Sequence, residues 1–469
     1  MNSQTILKIF CSHILLCSAF ARADFELGMQ YCLNKEFEKA YVEFTLSAEL
    51  GDVESQYNVG VMQYRGDYAA KDLVSAYAWL KLAQSNKSEL ATKTMALVES
   101  KMSAQQKQLG ERAYLTLGER LSTANIQKRL AQIAPIGTGE FTKPKELKSK
   151  ATTISESRRM KLGEFNIELS YTVATDGSVR DISIEKDEPA YTMAFVKSLR
   201  QTQFAPATHR GKPISAYGEK SQIRISTTME GEKLNTEKLI MRLNSSKQKA
   251  EQGDGASIFA YAYQTEFARS FYENKMREAN QDLKFDDPNT WYLKSAQAGF
   301  SLGEYKIGSN MLAGHQCDAN PAQGLAWLER SASRGILDAQ FLLGAEYYSG
   351  EKVPRDTTKG LYWLERASAG HYNNASIKLA WIYATSPDDR IRNRQKSLEH
   401  LKAVPDTHLD ELSFWETSAA VFALNDDFKA AIKAQKKAMS TAKDYGLELP
   451  KQAQQLFNYE AKKIWLEPI

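Results

Sequence analysis

The sequence predicts a mainly α protein in which two arrays of helical hairpins flank a small α+β domain. Three observations predict it: a Trp returning every 36 residues at Trp291, Trp327 and Trp363, small residues that travel with it, and one central stretch whose apolar period drops to two. A period of 36 lies in the range of stacked helical hairpins, each of which buries its apolar stripe only against its neighbours. The small residues run Gly299, Gly303, Gly308, Gly314 before Trp327 and Gly335, Ala339, Gly344, Gly350 before Trp363.

The first 23 residues read as a secretory leader. Lys8 precedes a mostly apolar run from Ile9 to Ala21, and Ala21-Arg22-Ala23 is an A-x-A cleavage pattern. The run is short for a membrane-spanning helix, so the expectation is a mature chain starting at Asp24; an uncleaved inner-membrane anchor is the alternative. A bulky Leu16 before Cys17 argues against a lipid-attachment signal. The formal charge of +4, or +2 without Lys8 and Arg22, gives no electrostatic reason to propose nucleic acid as partner. Only Cys32 and Cys317 follow the leader, so no disulfide framework is expected and the two read as separate thiols.

Residues 24–134 read as the first array with a helical extension. Gly51, Ser55, Gly60, Gly66, Asp72 and Trp79 fall at the offsets of Gly335, Ala339, Gly344, Gly350, Asp356 and Trp363. Ser103-Ala104-Gln105-Gln106 is a capping box within the extension. Pro135 to Lys150, rich in Gly, Pro, Lys and Thr, reads as a linker over 135–151.

The period then changes. Phe165, Ile167, Leu169, Tyr171 and Val173 alternate with Asn166, Glu168, Ser170 and Thr172, as on a half-buried strand. Asp176-Gly177 marks a hairpin and Val179 to Glu185 a returning strand. Tyr191, Phe195 and Leu199 recur four apart on a helix, and a last strand carries Ile223 and Ile225 on one face with Gln222, Arg224 and Ser226 on the other.

The second array covers 235–400. In its clearest unit Asp338-Ala339-Gln340 opens a helix bearing Leu342, Leu343 and Tyr347, while Gly344 lets a paired helix approach. Gly350 ends that helix in the left-handed conformation, and Asp356 caps the next, which carries Leu361, Trp363, Leu364 and Ala367. Asn320, Pro321 and Gln323 give the preceding unit its helix start. A degenerate unit begins at Ala250 with about ten extra residues before Trp291, expected to lengthen a hairpin loop, and another follows Ala375, with His371 and Ser386 in place of glycines. The Trp residues read as inter-repeat core.

These units resemble the Sel1-like repeat family, which implies antiparallel helix pairs stacked as a superhelix and a protein-binding role. Residues 401–469 resemble a tetratricopeptide unit and read as a helical cap. Residues 152–229 resemble the C-terminal domain of TonB-type energy transducers, on Tyr171, Gly177, Val179, Phe195, Leu199, Arg200, Phe204-Ala205-Pro206-Ala207 and Gly211-Lys212-Pro213. That resemblance implies a periplasmic domain that captures a peptide, such as an outer-membrane receptor segment, on an exposed sheet edge.

The chemistry of an enzyme does not emerge from the motifs. His13, His209, His315, His371, His400 and His408 lack zinc-site spacing and read as surface residues, and there is neither a G-x-S-x-G nor a phosphate-cradling Gly loop. The acidic pairs Asp286-Asp287, Asp388-Asp389 and Asp426-Asp427 read as loop and capping residues. No catalytic residue, metal or cofactor is therefore expected. The expected function is an exported periplasmic protein-interaction scaffold whose peptide-binding edge strand carries Gln222, Arg224 and Ser226. Its alternative is an energy transducer or transport accessory of the cell envelope.

Overall fold

The computed structural model describes residues 23–122, 125–126, 141–149, 164–188, 191–226, 236–278, 285–405, 411–445, 447 and 450–467. The leader before Ala23 lies outside them, as do His13 and His408. The chain divides into two units, an N-terminal one within 1–123, with which the short segment Ala332–Gly335 is grouped, and a larger one holding the remainder.

The described helices of the N-terminal unit are α1 Ala23–Leu33, α2 Phe37–Glu49, α3 Val53–Arg65, α4 Leu73–Ser85, α5 Glu89–Glu99 and α6 Ala104–Arg120. Side chains placed by sequence end these helices. Asp52 Oδ1 accepts from the Ser55 N–H at 2.7 Å to start α3, Gly66 closes it in the left-handed region at φ 74°, and Asp72 caps α4. Ser103 and Gln106 form the reciprocal capping box of α6. Trp79 is buried beside Leu80.

The larger unit begins with the sheet domain: β1 Phe141–Thr142, β2 Lys145–Lys148, β3 Glu164–Val173, β4 Val179–Lys186, α7 Thr192–Arg200, β5 Gln203–Ala205, β6 Ala207–His209, β7 Lys212–Ile214 and β8 Ala216–Ser226. Its main sheet is antiparallel in the order β4-β3-β8, and β1 and β2 pair with β6 and β5. The segment read as a linker thus contributes two strands, and a domain cut at Thr152 would lose both. The hairpin turn forms where expected: the Asp176 carboxylate accepts from Ser178 N–H at 2.9 Å, and Gly177 sits at φ 79°, where a Cβ would lie 2.0 Å from the Phe204 carbonyl oxygen. Ile167, Leu169, Tyr171, Val173, Val179 and Val196 form the core, with Phe195, Leu199 and Phe204 at its margin.

One expectation for this sheet fails. Glu168, Ser170 and Thr172, the polar row of β3, are buried as deeply as the apolar row, so the strand is covered on both faces.

The helices that follow in the larger unit are α8 Thr236–Ala250, α9 Gly255–Glu278, α10 Pro288–Gln297, α11 Ser301–Ala313, α12 Pro321–Ser333, α13 Leu337–Ser349, α14 Thr357–Ala369, α15 Asn373–Thr385, α16 Arg394–Lys402, α17 Glu411–Leu424, α18 Phe428–Asp444 and α19 Pro450–Glu460. Among the described residues, the extra ones of the degenerate first unit extend a helix: α9 has 24 residues where α11 has 13. No Gly stands where Gly314 stops α11, so nothing ends α9 at that point.

At the helix crossings the small residues act as expected. A Cβ on Gly344 would lie 2.8 Å from the Leu364 backbone nitrogen, so α13 and α14 could not pack as they do. Trp327 and Trp363 are 1% and 0% exposed, the largest fully buried side chains described. Neighbouring pairs are laced by a second periodic contact. Tyr347 donates to Glu329 at 2.5 Å and Lys359 pairs with it at 3.2 Å; one unit on, Tyr383 and Lys396 make the same contacts with Glu365.

Where the repeat loses its glycines the backbone responds in two ways. His371 keeps the left-handed conformation of Gly335, at φ 66° against 89°. Ser386 abandons it for an extended one at φ −56° and ψ 130°, and its hydroxyl accepts from the Asp388 N–H at 3.2 Å. At the C-terminal end α19 turns Lys451, Gln454 and Glu460 outward and buries Gln452, Gln455 and Tyr459, although Phe457 is exposed on the outer side.

Candidate protein-binding surface

The first helices of successive pairs, α9, α11, α13 and α15, together with α17, present one row of side chains to the sheet domain. Lys306, Leu342 and Lys378 stand at the same offset, 36 residues apart, and all three meet the domain.

The most buried contact is ionic. Lys306 Nζ lies 3.1 Å from Glu168 Oε1 and 4.0 Å from Glu266 Oε2. Tyr263 donates to the other Glu168 oxygen, Tyr292 donates to Glu266 at 2.7 Å, and His315 Nε2 is 3.2 Å from Glu266 Oε1. Burial opposes the charge on Glu266, but Lys306 and then His315 outweigh it and hold the carboxyl well below the usual carboxylate range. Glu346 shows the converse: with Lys352 as its ion-pair partner, at 2.9 Å, burial wins and its carboxyl is raised.

Around this centre the contacts remain polar. Arg180 of β4 pairs with Glu416 at 2.6 Å, and the Ser215 N–H donates to Glu351 at 2.6 Å. Asn374 donates to the Ile182 carbonyl at 3.5 Å, Gln201 to the Asp444 carbonyl at 2.9 Å, and Arg200 to the Tyr445 hydroxyl at 3.0 Å. Lys378 reaches the hydroxyl of Tyr217, which burial pushes up to about 12 and keeps neutral.

Among the described residues β8 is an edge of its sheet. Gln222, Arg224 and Ser226 pair through their backbones with Glu168, Asn166 and Glu164 of β3, while their side chains lie outside the described residues. The other half of the strand, at Tyr217, Gly218 and Lys220, faces the array, with Lys220 over the Tyr305 ring at 5.8 Å.

Several histidines differ from their reading as surface residues. His209 stacks on Phe141 with ring centroids 4.3 Å apart, His315 joins the Glu266 network, and burial lowers the pKa of the half-buried His400. Only His371 among the described ones is exposed. Asp287 and Asp427 cap helices as expected, whereas Asp286 accepts from Tyr261 and Trp291. Cys32 and Cys317 are free thiols. Among the described residues no three His, Cys, Asp or Glu side chains converge on a metal position.

The family model described as Sel1 repeat matches residues 53–84, 301–336 and 337–372. The chain carries Sel1 repeats. They coincide with α3–α4, α11–α12 and α13–α14, the pairs built around Trp79, Trp327 and Trp363. Among solved structures, the chain is similar to a Sel1 repeat protein from Oxalobacter formigenes, at 24% identity and TM-score 0.24 over 29% of this chain and 96% of that one. It is also similar to c5321, a protective antigen of uropathogenic Escherichia coli with an SLR fold, at 16% identity and TM-score 0.30 over 94% of this chain and 84% of that one. No curated protein matches. Sel1 repeats act generally in protein–protein interaction, so protein partners are the class that this chain's Sel1 repeats indicate.

Proposed function

We propose that the chain is an exported, periplasmic, non-enzymatic scaffold whose sheet domain takes an extended peptide on the β8 edge. The observation that carries the reading is the strand order β4-β3-β8, which among the described residues leaves β8 bonded to one strand of its sheet only. An edge strand offers unpaired backbone N–H and C=O groups that an added strand satisfies, and Gln222, Arg224 and Ser226 would select among peptides. The element order of hairpin, helix and long last strand supports the likeness to TonB C-terminal domains, and the Sel1 repeats supply further surface for the same partner.

The test uses the whole chain. Arg224→Pro removes one backbone donor from β8. Immobilised wild type and variant are exposed to an envelope extract, and retained proteins are identified by mass spectrometry. Loss of a defined set of partners from a folded variant supports the edge; an unchanged set removes it. Sequencing the N-terminus of protein from cells separates the scaffold from the transducer: Asp24 at the start supports export, and an intact Met1 in inner-membrane fractions favours an anchored transducer. No described helix is long and apolar enough to cross a membrane.

A further inference from the structure

The sheet domain is seated on the repeat row, yet its core is its own. The apolar cluster from Ile167 to Ala216 contains sheet-domain residues alone among the described ones, and Phe195, Leu199 and Phe204 close it without help from the array. What the domain offers to the array is mainly polar: the Glu168 carboxylate, the Arg180 guanidinium, the Ser215 N–H and the Gln201 amide. Between them Ser170, Thr172 and Asp181 on one side and Tyr305, Asp338 and Tyr372 on the other leave a cavity of about 10 Å³. That is room for one water at most. Phe341 and Leu342 line the cavity as well, but the ion pairs and hydrogen bonds around it make the contact mainly polar and incompletely filled, and such a contact between separately cored parts is the kind from which domains move apart.

The array side has the opposite character, because it is periodic. Lys306, Leu342 and Lys378 repeat at one offset, and a row set out across several units suits a ligand lying along them. Covered by an occupant without an anion, Lys306 would lack its nearest counter-charge, since Glu266 stands farther off at 4.0 Å and is shared with Tyr292 and His315. A buried ammonium left in that state is costly, so an occupant of the row must bring an anion.

We propose that this row is a protein-binding surface which the sheet domain occupies in cis. A partner gains it by displacing the domain with an extended segment that carries a carboxylate where Glu168 now sits. The inference rests on reading the chain as an interaction scaffold, but not on the β8 edge.

The test is peptide binding to the full chain, with a fluorescent peptide of the β3 sequence, residues 164–173, as probe. Glu168→Lys drives the domain off Lys306 while leaving the row intact, so the peptide should bind this variant at least tenfold more tightly than wild type. A peptide with Lys in place of its Glu168 should not bind. Adding Lys306→Glu restores an opposite pair and should return binding to the wild-type level. Equal weak binding to wild type and Glu168→Lys, with the Trp emission of a folded array, overturns the inference. Should Glu168→Lys fail to fold, Arg180→Ala, which frees the domain at Glu416, is measured in the same way, and wild-type binding there also overturns it. Envelope partners retained through β8 alongside a null peptide result would leave the proposed function standing without this surface.

Discussion

Glu168 and Lys306, 138 residues apart, form an ion pair of 3.1 Å with side chains only 1% and 4% exposed. One belongs to the central strand of the sheet domain and the other to a repeat helix. Two charges withdrawn from water together tolerate the loss of both better than the loss of one. Lys306→Met alone should therefore destabilise the larger unit by about 3–5 kcal/mol. Lys306→Met with Glu168→Gln should recover much of it, because Gln still accepts from Tyr263. Urea unfolding of the four members of the cycle checks this; a double variant as unstable as the single one would mean that the pair is not the source of the loss.

Trp363 is fully buried in α14, where truncation loses transfer energy and leaves a void. Trp363→Ala should cost roughly 3–5 kcal/mol. Its indole Nε1 has no hydrogen-bond partner among the described residues, so Trp363→Phe should cost less than the alanine variant. Thermal unfolding followed by circular dichroism measures both, and an alanine variant that melts with wild type would mark the Trp as a surface residue.

The Trp residues were legible because the repeat fixes their surroundings: at a constant offset beside Gly308 or Gly344 a large ring has nowhere to go but the inter-helix core. The seat of the sheet domain was not. Alternation along β3 identifies two faces, but it cannot tell that Glu168, Ser170 and Thr172 face helices instead of water. Their partners lie far along the chain. The available signal is Lys306 and Lys378 at one repeat offset in two buried helices whose only other charged residue is Glu304, a position at which two cations need counter-charges. β1 and β2 are illegible in the sequence for a simpler reason. All four residues of β2 are exposed, so Lys145 to Lys148 carry no apolar alternation to read.

Glu266 links stability to pH. Its folded carboxyl is held below the ordinary value of 4.5, so the stabilisation is fully present above that pH and is lost as pH falls toward the folded value. Glu266→Gln should lower stability at pH 7 and flatten the acid limb below about pH 4.5. Urea midpoints at pH 7 and pH 3 decide it: parallel decline of variant and wild type would exclude Glu266 as the group responsible.

His371 stands where the repeat has Gly335, and it holds φ 66° in a region that costs a residue bearing a Cβ about 1–2 kcal/mol. The ring offsets little of this, because His371 is exposed. Glycine would remove the strain, while its greater freedom in the unfolded chain returns about 0.5–1 kcal/mol of the gain. His371→Gly should thus stabilise the array by roughly 0.5–1 kcal/mol. Ser386 supplies the control: its backbone lies at φ −56°, so Ser386→Gly relieves no strain, frees the unfolded chain and removes the hydroxyl that accepts from Asp388. The two glycine variants should shift the melting temperature in opposite directions, and a downward shift for His371→Gly would show that its ring makes a stabilising contact that outweighs the backbone strain.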